Sequence, residues 1–252
     1  MAIITGGASG IGEASARLFA VHGAIVIIAD VQDQLGADVA ASIGHDKCSY
    51  KHCDVTDEKQ VQEVVDHTTA VHGRLDVMFS NAGVLGSRAG IADLDLNSLN
   101  RLMAVNVGGA VAAIKHGARA MLAGGVHGSI VCTASVAAQR AGLGPAAYTI
   151  TKHALLGLVR AAAGEYGPHG IRVNCVSPFG VATPLACGLN GASPETVERL
   201  TCSLSVLKKV VLKASHIAEA ALFLASDESA FISGHDLVVD GATTVFNSLN
   251  LK

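Results

Sequence analysis

Short runs of aliphatic and β-branched residues recur along the chain, separated by longer stretches whose apolar positions repeat at helical spacing. Residues 2–5, 24–29, 48–53, 75–79, 128–133, 171–176 and 236–239 read as seven strands. Helical patterns fall near 10–22, 33–43, 57–72, 97–122, 148–166 and 214–226. Strand–helix alternation over the whole length implies right-handed βαβ units and one doubly wound parallel sheet of the α/β class. No linker, internal repeat or low-complexity segment interrupts it, so 1–252 reads as a single domain. The exception to the rhythm is 177–213, which holds Pro178, Pro184 and Pro194 and is expected to contain one helix. A connection this long is usually functional, and it would lie beyond the carboxyl end of a strand, where open α/β sheets bind ligands.

Composition narrows the class. Of 252 residues, half are apolar and 15% charged, which excludes disorder and fibrous architecture for the whole chain. With 18 Lys+Arg against 21 Asp+Glu, the net charge of −3 offers no basic excess for a nucleic-acid partner. Trp is absent and aromatics are 4%, so the core is aliphatic, as suits a parallel sheet covered on both faces. The six cysteines form no C-x-x-C pair, and Cys132 and Cys175 sit inside apolar runs; buried thiols in a reducing compartment are expected. The first residues lack a basic signal-peptide region. The longest uncharged stretch, 173–194, carries three Pro and three Gly and cannot be a membrane helix. A soluble, cytoplasmic protein without a membrane partner is the expectation.

Thr5-Gly6-Gly7-Ala8-Ser9-Gly10-Ile11-Gly12 follows the first strand and opens a helix. Glycines let the backbone turn tightly against a pyrophosphate, and the helix N-terminus presents free N–H groups to it. Asp30 ends the second strand, where a carboxylate can accept both adenosine ribose hydroxyls and repel a 2′-phosphate; capping a helix is its other use. Asp54, after Cys53 and before Val55, could bond an adenine amino group or cap the helix starting near Asp57. Gly83 in Asn81-Ala82-Gly83 lets backbone pass close to a cofactor, or serves an ordinary turn. Asn106 lies inside a helical pattern and needs a partner: it is a structural hydrogen-bonder or holds a water. Tyr148 and Lys152, at i and i+4, share a helix face, and an ammonium beside a phenol lowers its pKa toward the working pH. That makes Tyr148 a usable acid/base. Ser135, 13 residues upstream at a strand end, could hold a substrate oxygen beside it. The eleven His show no metal-site spacing, so no metal is expected. Lys208, Lys209 and Lys213 read as a solvated helix face.

Together these residues resemble the short-chain dehydrogenase/reductase family over almost the whole chain. The T-G-x-x-x-G-x-G pattern matches Thr5 to Gly12, N-A-G matches Asn81 to Gly83, and the Asn–Ser–Tyr–Lys set falls on Asn106, Ser135, Tyr148 and Lys152. Residues 173–178 and 233–241 look like the family's C-terminal signatures. The resemblance implies a Rossmann fold, a nicotinamide cofactor and a homotetramer. Gly142-Leu143-Gly144-Pro145, Lys152-His153-Ala154 and Pro178-Phe179-Gly180-Val181-Ala182-Thr183-Pro184 look like plant NAD-dependent secoisolariciresinol dehydrogenase-like and terpenoid (borneol-type) alcohol dehydrogenases. One departure is Phe179, where the general family has Gly after the proline.

The resemblance implies these roles. Gly6, Ser9, Gly10, Ile11, Gly12, Asp30, Asp54, Val55, Asn81, Ala82, Gly83, Tyr148, Lys152, Pro178, Val181 and Thr183 hold NAD, with Val181 and Thr183 on the carboxamide. Ser135 and Tyr148 hold the alcohol oxygen, Tyr148 takes its proton, Lys152 bonds the nicotinamide ribose, and Asn106 holds a relay water. The substrate is expected to be a small apolar secondary alcohol, enclosed by Phe179, Leu185, Leu189, Val197, Leu200, Leu204 and Val206 against Val84, Leu85 and 136–138. An NADPH-dependent carbonyl reductase and a non-catalytic cofactor-binding scaffold are the alternatives. The helix 148–166 is apolar beyond one stripe and asks for a second partner, and the segment 243–251 could pack across a neighbouring subunit.

Overall fold

The computed structural model describes residues 1–188 and 191–246. Seven parallel strands form one sheet: β1 (Ala2–Thr5), β2 (Val26–Asp30), β3 (Cys48–His52), β4 (Val77–Ser80), β5 (Ser129–Thr133), β6 (Arg172–Pro178) and β7 (Asp236–Val239). Their spatial order is β3-β2-β1-β4-β5-β6-β7, so the winding reverses between β1 and β4. That reversal opens a crevice at the carboxyl ends of the strands.

The strands β1, β2, β4 and β5 are mostly apolar because both faces are covered, whereas the edge strand β3, Cys-Ser-Tyr-Lys-His, is largely polar and partly exposed. Alternate residues of β1 show how: Ile3 packs with Ile27, Met78 and Ile130 on one face, and Ile4 with Ile28, Phe79 and Val131 on the other. The first face is covered by α3 (Glu58–His72), α5 (Gly109–Ala123) and α6 (Ala146–Tyr166). The second is covered by α1 (Gly10–Val21), α2 (Asp33–Ile43) and α9 (Ala214–Ala225), with Phe19 stacked on Phe79 at 6.4 Å between ring centroids. Cys132 and Cys175, paired across β5 and β6, are fully buried, and all six cysteines are free thiols. No helix among the described residues is long and apolar enough to cross a membrane.

Three sequence expectations change. The pattern at 97–122 is not one helix: α4 (Leu96–Met103) passes through a π-helical turn, Ala104–Gly108, into α5. A π turn carries an extra residue per turn, which apolar periodicity cannot register. The connection 177–213 holds two helices, α7 (Pro184–Gly188) and α8 (Pro194–Leu204). Ser193 caps α8 by accepting from Thr196 N at 3.3 Å, with Pro194 at its first position. The lysines beyond α8 do not lie on a helix face. Lys208 donates to the carbonyls of Cys202 and Ser203 at the end of α8, and Lys213 pairs with Glu198 at 2.5 Å. Leu189 and the tail from 247 onward lie outside the described residues.

Candidate active site

The glycine turn is shaped by close approach. Gly6 and Gly10 have φ values of 64° and 57°, a region that L side chains avoid. A Cβ at Gly6 would sit 2.8 Å from Ala82 Cα, and one at Gly12 only 2.0 Å from the Gly6 carbonyl oxygen. At Gly10 it would meet Thr183 at 3.1 Å. The bare backbone thus nests between the turn after β4 and the exit of β6. Ser9 is the N-cap of α1, yet its side chain makes no capping bond. With Gly10 and Ile11 it lines the crevice, at the helix end where N–H groups lack intrahelical acceptors.

Asn81 is the clamp of this region. Its Nδ2 donates to the carbonyls of Thr5 and Gly6 at 3.1 and 3.2 Å, and its Oδ1 accepts from Thr133 Oγ1 at 3.0 Å. Thr5 Oγ1 in turn accepts from Asn81 N and Ala82 N. Strands β1, β4 and β5 are locked together at the crevice floor, with Ala82 and Gly83 lining it.

Asp30 is buried but lines the same cleft. Its Oδ2 accepts from Ala8 N at 3.0 Å in the glycine loop, and its Oδ1 from Gln32 N at 3.0 Å. Oδ1 accepts as well from Gln32 Nε2 at 3.3 Å, while Oδ2 keeps a further lone pair for a hydroxyl donor. Of the two readings of Asp54, capping is excluded: Asp57 caps α3 through Lys59 N, while Asp54 accepts from Thr56 N and Oγ1. Asp54 and Val55 both line the cleft.

Ser135, Tyr148 and Lys152 come together beyond the end of β5. Ser135 caps the short turn Val136–Ala138 by accepting from Ala137 N at 3.1 Å, and its hydroxyl bonds the Tyr148 phenol. Tyr148 stands in the first turn of α6, and Lys152 one turn further puts its ammonium 5.3 Å from the phenol ring centroid. Lys152 Nζ donates to Thr133 O at 2.6 Å. The expected lowering of the phenol pKa is not what this geometry produces. Burial pushes Tyr148 up to about 12, and the Ser135 hydrogen bond draws it only part of the way back. Burial also pulls Lys152 down to about 8. The ammonium lies over the ring and donates to a carbonyl rather than to the phenol oxygen, so burial is the dominant influence on the phenol.

Asn106 is 2% exposed in the π turn, and its structural alternative is the one its side chain takes. Oδ1 accepts from Val84 N at 2.8 Å, while Nδ2 donates to Val84 O at 2.9 Å and Thr151 Oγ1 at 3.1 Å. The amide holds the loop after β4 against α6, leaving no N–H for a water. Thr5, Thr133 and Thr151 are the participants that sequence reasoning missed. Thr151, inside the Tyr-x-x-Thr-Lys stretch, donates to Tyr148 O at 2.8 Å and accepts from Asn106.

These groups line one cleft of about 1090 Å³. Asp30, Val31 and Gln32 lie at its β2 end, Lys152 and Tyr148 in the β5 half, and Pro178, Val181 and Thr183 at the exit of β6. Val181 O accepts from Thr183 N at 2.8 Å. The far wall is apolar, formed by Val84, Leu143, Phe179, Leu185, Leu200 and Leu204. Arg88, which no sequence motif marks, lines the same cleft. Among the described residues no group of three or more His, Cys, Asp or Glu could hold a metal ion.

A family model described as Enoyl-(Acyl carrier protein) reductase matches residues 6–244. The chain belongs to the short-chain dehydrogenase/reductase family. Short-chain dehydrogenase reductase 3b of Arabidopsis thaliana is 58% identical over 243 residues, covering 96% of this chain and 95% of that protein. The mitochondrial (−)-isopiperitenol/(−)-carveol dehydrogenase of Mentha piperita is 51% identical over 243 residues, covering 96% and 92%. The crystal structure of levodione reductase superposes with a TM-score of 0.89 at 30% identity, covering 98% of each chain. As a short-chain dehydrogenase/reductase the protein is an oxidoreductase that uses a nicotinamide cofactor. The cradle fits such a group: its glycines leave no side chain between the α1 N-terminus and the cleft, and the cleft is long enough to join Asp30 to Tyr148.

Proposed function

We propose that this short-chain dehydrogenase/reductase is an NAD-dependent dehydrogenase, oxidising the secondary hydroxyl of a small apolar substrate to the ketone. The substrate class is a terpenoid alcohol of borneol type, or a lignan-like alcohol. One juxtaposition carries the reading: the Ser135–Tyr148 hydroxyl pair shares one cleft with the apolar side chains of Leu143, Phe179, Leu185 and Leu200. These apolar side chains cannot compensate a charged substrate for lost hydration, although Arg88 and Lys152 also line the cleft. The carveol dehydrogenase relative supports the same class.

Asp30 supports NAD over NADP, since a 2′-phosphate there would meet a carboxylate held by two backbone N–H groups. Gly6, Ser9, Gly10, Ile11 and Gly12 would hold the pyrophosphate, with Asp54, Val55 and Asn81–Gly83 along its path. Pro178, Val181 and Thr183 would hold the carboxamide end. When bound, the nicotinamide supplies a hydride acceptor and a positive ring. Ser135 donates to, and so orients, the alcohol oxygen. Tyr148 takes the hydroxyl proton as the carbinol carbon is oxidised. Lys152, already desolvated, bonds the ribose and stabilises the phenolate that this transfer needs. Asn106 positions the loop bearing Val84. A relay water, if used, must find its donors and acceptors elsewhere than the Asn106 N–H groups, which Val84 and Thr151 occupy.

The assembly we propose is a homotetramer. Helix α6 buries Leu155, Leu156 and Val159, while Ile150 on the same helix is exposed and Leu158 half-buried. The compartment we propose is the cytoplasm, where six free thiols persist. Light scattering of the purified protein tests the first, and a full-length fluorescent fusion the second. The activity is tested with NAD or NADP and monoterpenoid, sesquiterpenoid, lignan and steroid alcohols, followed by reduced-cofactor absorbance. NADH formation with a compact terpenoid or lignan alcohol is expected. Turnover with NADP alone would favour the carbonyl-reductase alternative, and no turnover with any alcohol the scaffold.

A further inference from the structure

Asp30 is held from the side away from the cleft by a residue with no assigned role. Its carbonyl oxygen accepts from Cys53 N at 2.9 Å and lies 2.7 Å from the Tyr50 hydroxyl, whose single proton it shares with Asp33. The same hydroxyl lies 2.6 Å from Asp33 Oδ1, at the first residue of α2. Asp33 Oδ1 also bonds His52 Nδ1 at 2.7 Å. Tyr50 sits in β3 opposite Ile28, two residues short of Asp30, so its ring runs along the sheet edge toward the end of β2. Glycine at position 36 makes room for that path: a Cβ there would lie 2.3 Å from two carbons of the Tyr50 ring. Real Cβ atoms do not approach so closely, so any side chain at 36 must displace the ring or α2.

We propose that Tyr50, seated in the Gly36 notch and anchored by Asp33, is a positioning residue for cofactor choice, fixing Asp30 at the adenosine-ribose end. The Asp30 carboxylate is held by Ala8 and Gln32, but both belong to loops that border the cleft. Its backbone carbonyl is held by β3 and the residue after it, through Tyr50 and Cys53. A carboxylate that must accept two hydroxyls in fixed geometry depends on that backbone, since selectivity is lost when a polar group can swing away. Asp33 shares the single Tyr50 proton with Asp30 O and so keeps the phenol oxygen seated at the end of β2. The inference rests on the reading of Asp30 as the ribose acceptor.

The test is a double-mutant cycle on the intact enzyme, with NAD, NADH and NADP binding followed by calorimetry and kcat measured at saturating alcohol. Tyr50→Phe keeps the ring in its notch and removes one hydroxyl. It should weaken NAD binding by about two- to tenfold, the range of one net hydrogen bond, while kcat stays within about twofold. NADP binding should change less, so the NAD preference narrows. Gly36→Ala should act in the same direction by moving the ring. In an Asp30→Ala background, Tyr50→Phe should have no further effect on NAD affinity. The inference is overturned if Tyr50→Phe lowers Tm but leaves NAD affinity unchanged, or if its effect adds fully to that of Asp30→Ala. A wild type that binds NADP as tightly as NAD sinks the ribose reading itself, before any variant is made.

Discussion

Replacing Asn106 with Asp changes one NH₂ to an oxygen and leaves shape intact, so its consequences can be worked from the hydrogen-bond directions. In the wild type Nδ2 donates to two acceptors, Val84 O and Thr151 Oγ1. Thr151 cannot turn its proton toward position 106, because its hydroxyl already donates to Tyr148 O at 2.8 Å. An ionised carboxylate would therefore face two acceptors in a site only 2% exposed. Each buried acceptor deprived of its donor costs about 1–3 kcal/mol, so the folded variant keeps its proton and donates to one of the two. The folded pKa then lies above the unfolded value of about 3.9. Between those values the native state binds more protons than the unfolded state, so stability falls as pH rises, by up to about 1.4 kcal/mol per pH unit. From pH 5 to pH 7 the variant should lose up to about 2.7 kcal/mol relative to wild type, or about 5–11 °C in Tm. Calorimetric or fluorescence melting across that range, with Asn106→Ala as the non-titrating control, measures it. Dehydrogenase activity should fall in the same window, because a Cβ at Gly83 would lie 3.3 Å from Asn106 Oδ1 and 3.7 Å from Lys152 Nζ, which puts position 106 and the ammonium on either side of one turn. A variant whose stability tracks the wild type at every pH would refute the assigned amide orientation.

Tyr148→Phe keeps the packed ring and removes the proton acceptor; kcat/KM should fall by about 10²–10⁴ with NADH affinity and Tm little changed, and a loss below tenfold would refute the assignment. Lys152→Met should abolish activity yet raise Tm near neutrality, because a buried ammonium donating to Thr133 O is replaced by an apolar chain. The sign follows from its pKa: lowered to about 8 from 10.5, it makes wild-type stability rise as pH climbs between those values, a rise that the Met variant should lack in pH-dependent melting. Asp30→Ala with Val31→Arg should move cofactor preference toward NADP in initial-rate assays, and an unchanged preference would show that Asp30 does not select. Phe179→Ala should reorder the substrate ranking more than it alters NAD affinity; lower stability with an unchanged ranking would place Phe179 in the core.

The central strands β1, β2 and β4 are legible because a parallel sheet covered on both faces requires apolar runs, and the boundaries of β1 and β7 agree with the sequence reading to the residue. Glycine positions were legible for a related reason. Gly6 and Gly10 adopt positive φ and Gly12 lies against the Gly6 carbonyl, requirements local to one turn, to which the fold adds the close approach of Ala82 and Thr183. Tyr148 and Lys152 were legible through helix periodicity, which places them on one face without reference to the rest of the chain.

What a side chain does once there depends on who else arrives. The Asn106 amide is engaged by Val84, 22 residues away, and Thr151, 45 away, partners that local sequence does not name. The π turn that carries it is invisible to a 3.6-residue period. The i+4 rule supplies a neighbouring charge at Tyr148 but not the dielectric around it, and burial by the chain's own residues raises the phenol pKa. The tertiary fold buries both groups and sends the ammonium to Thr133 O instead. Tyr50 shows the same division. Its place in a strand follows from local preference, but its hold on Asp30 and its seat against Gly36 exist only because β2, β3 and α2 pack together. Local sequence thus determined the elements, their order and the residue types at the cleft, since backbone conformation and burial periodicity are short-range. Protonation, hydrogen-bond direction and the shape of the apolar wall were decided by tertiary packing, because desolvation and donor–acceptor pairing are properties of surroundings that the chain assembles only when folded.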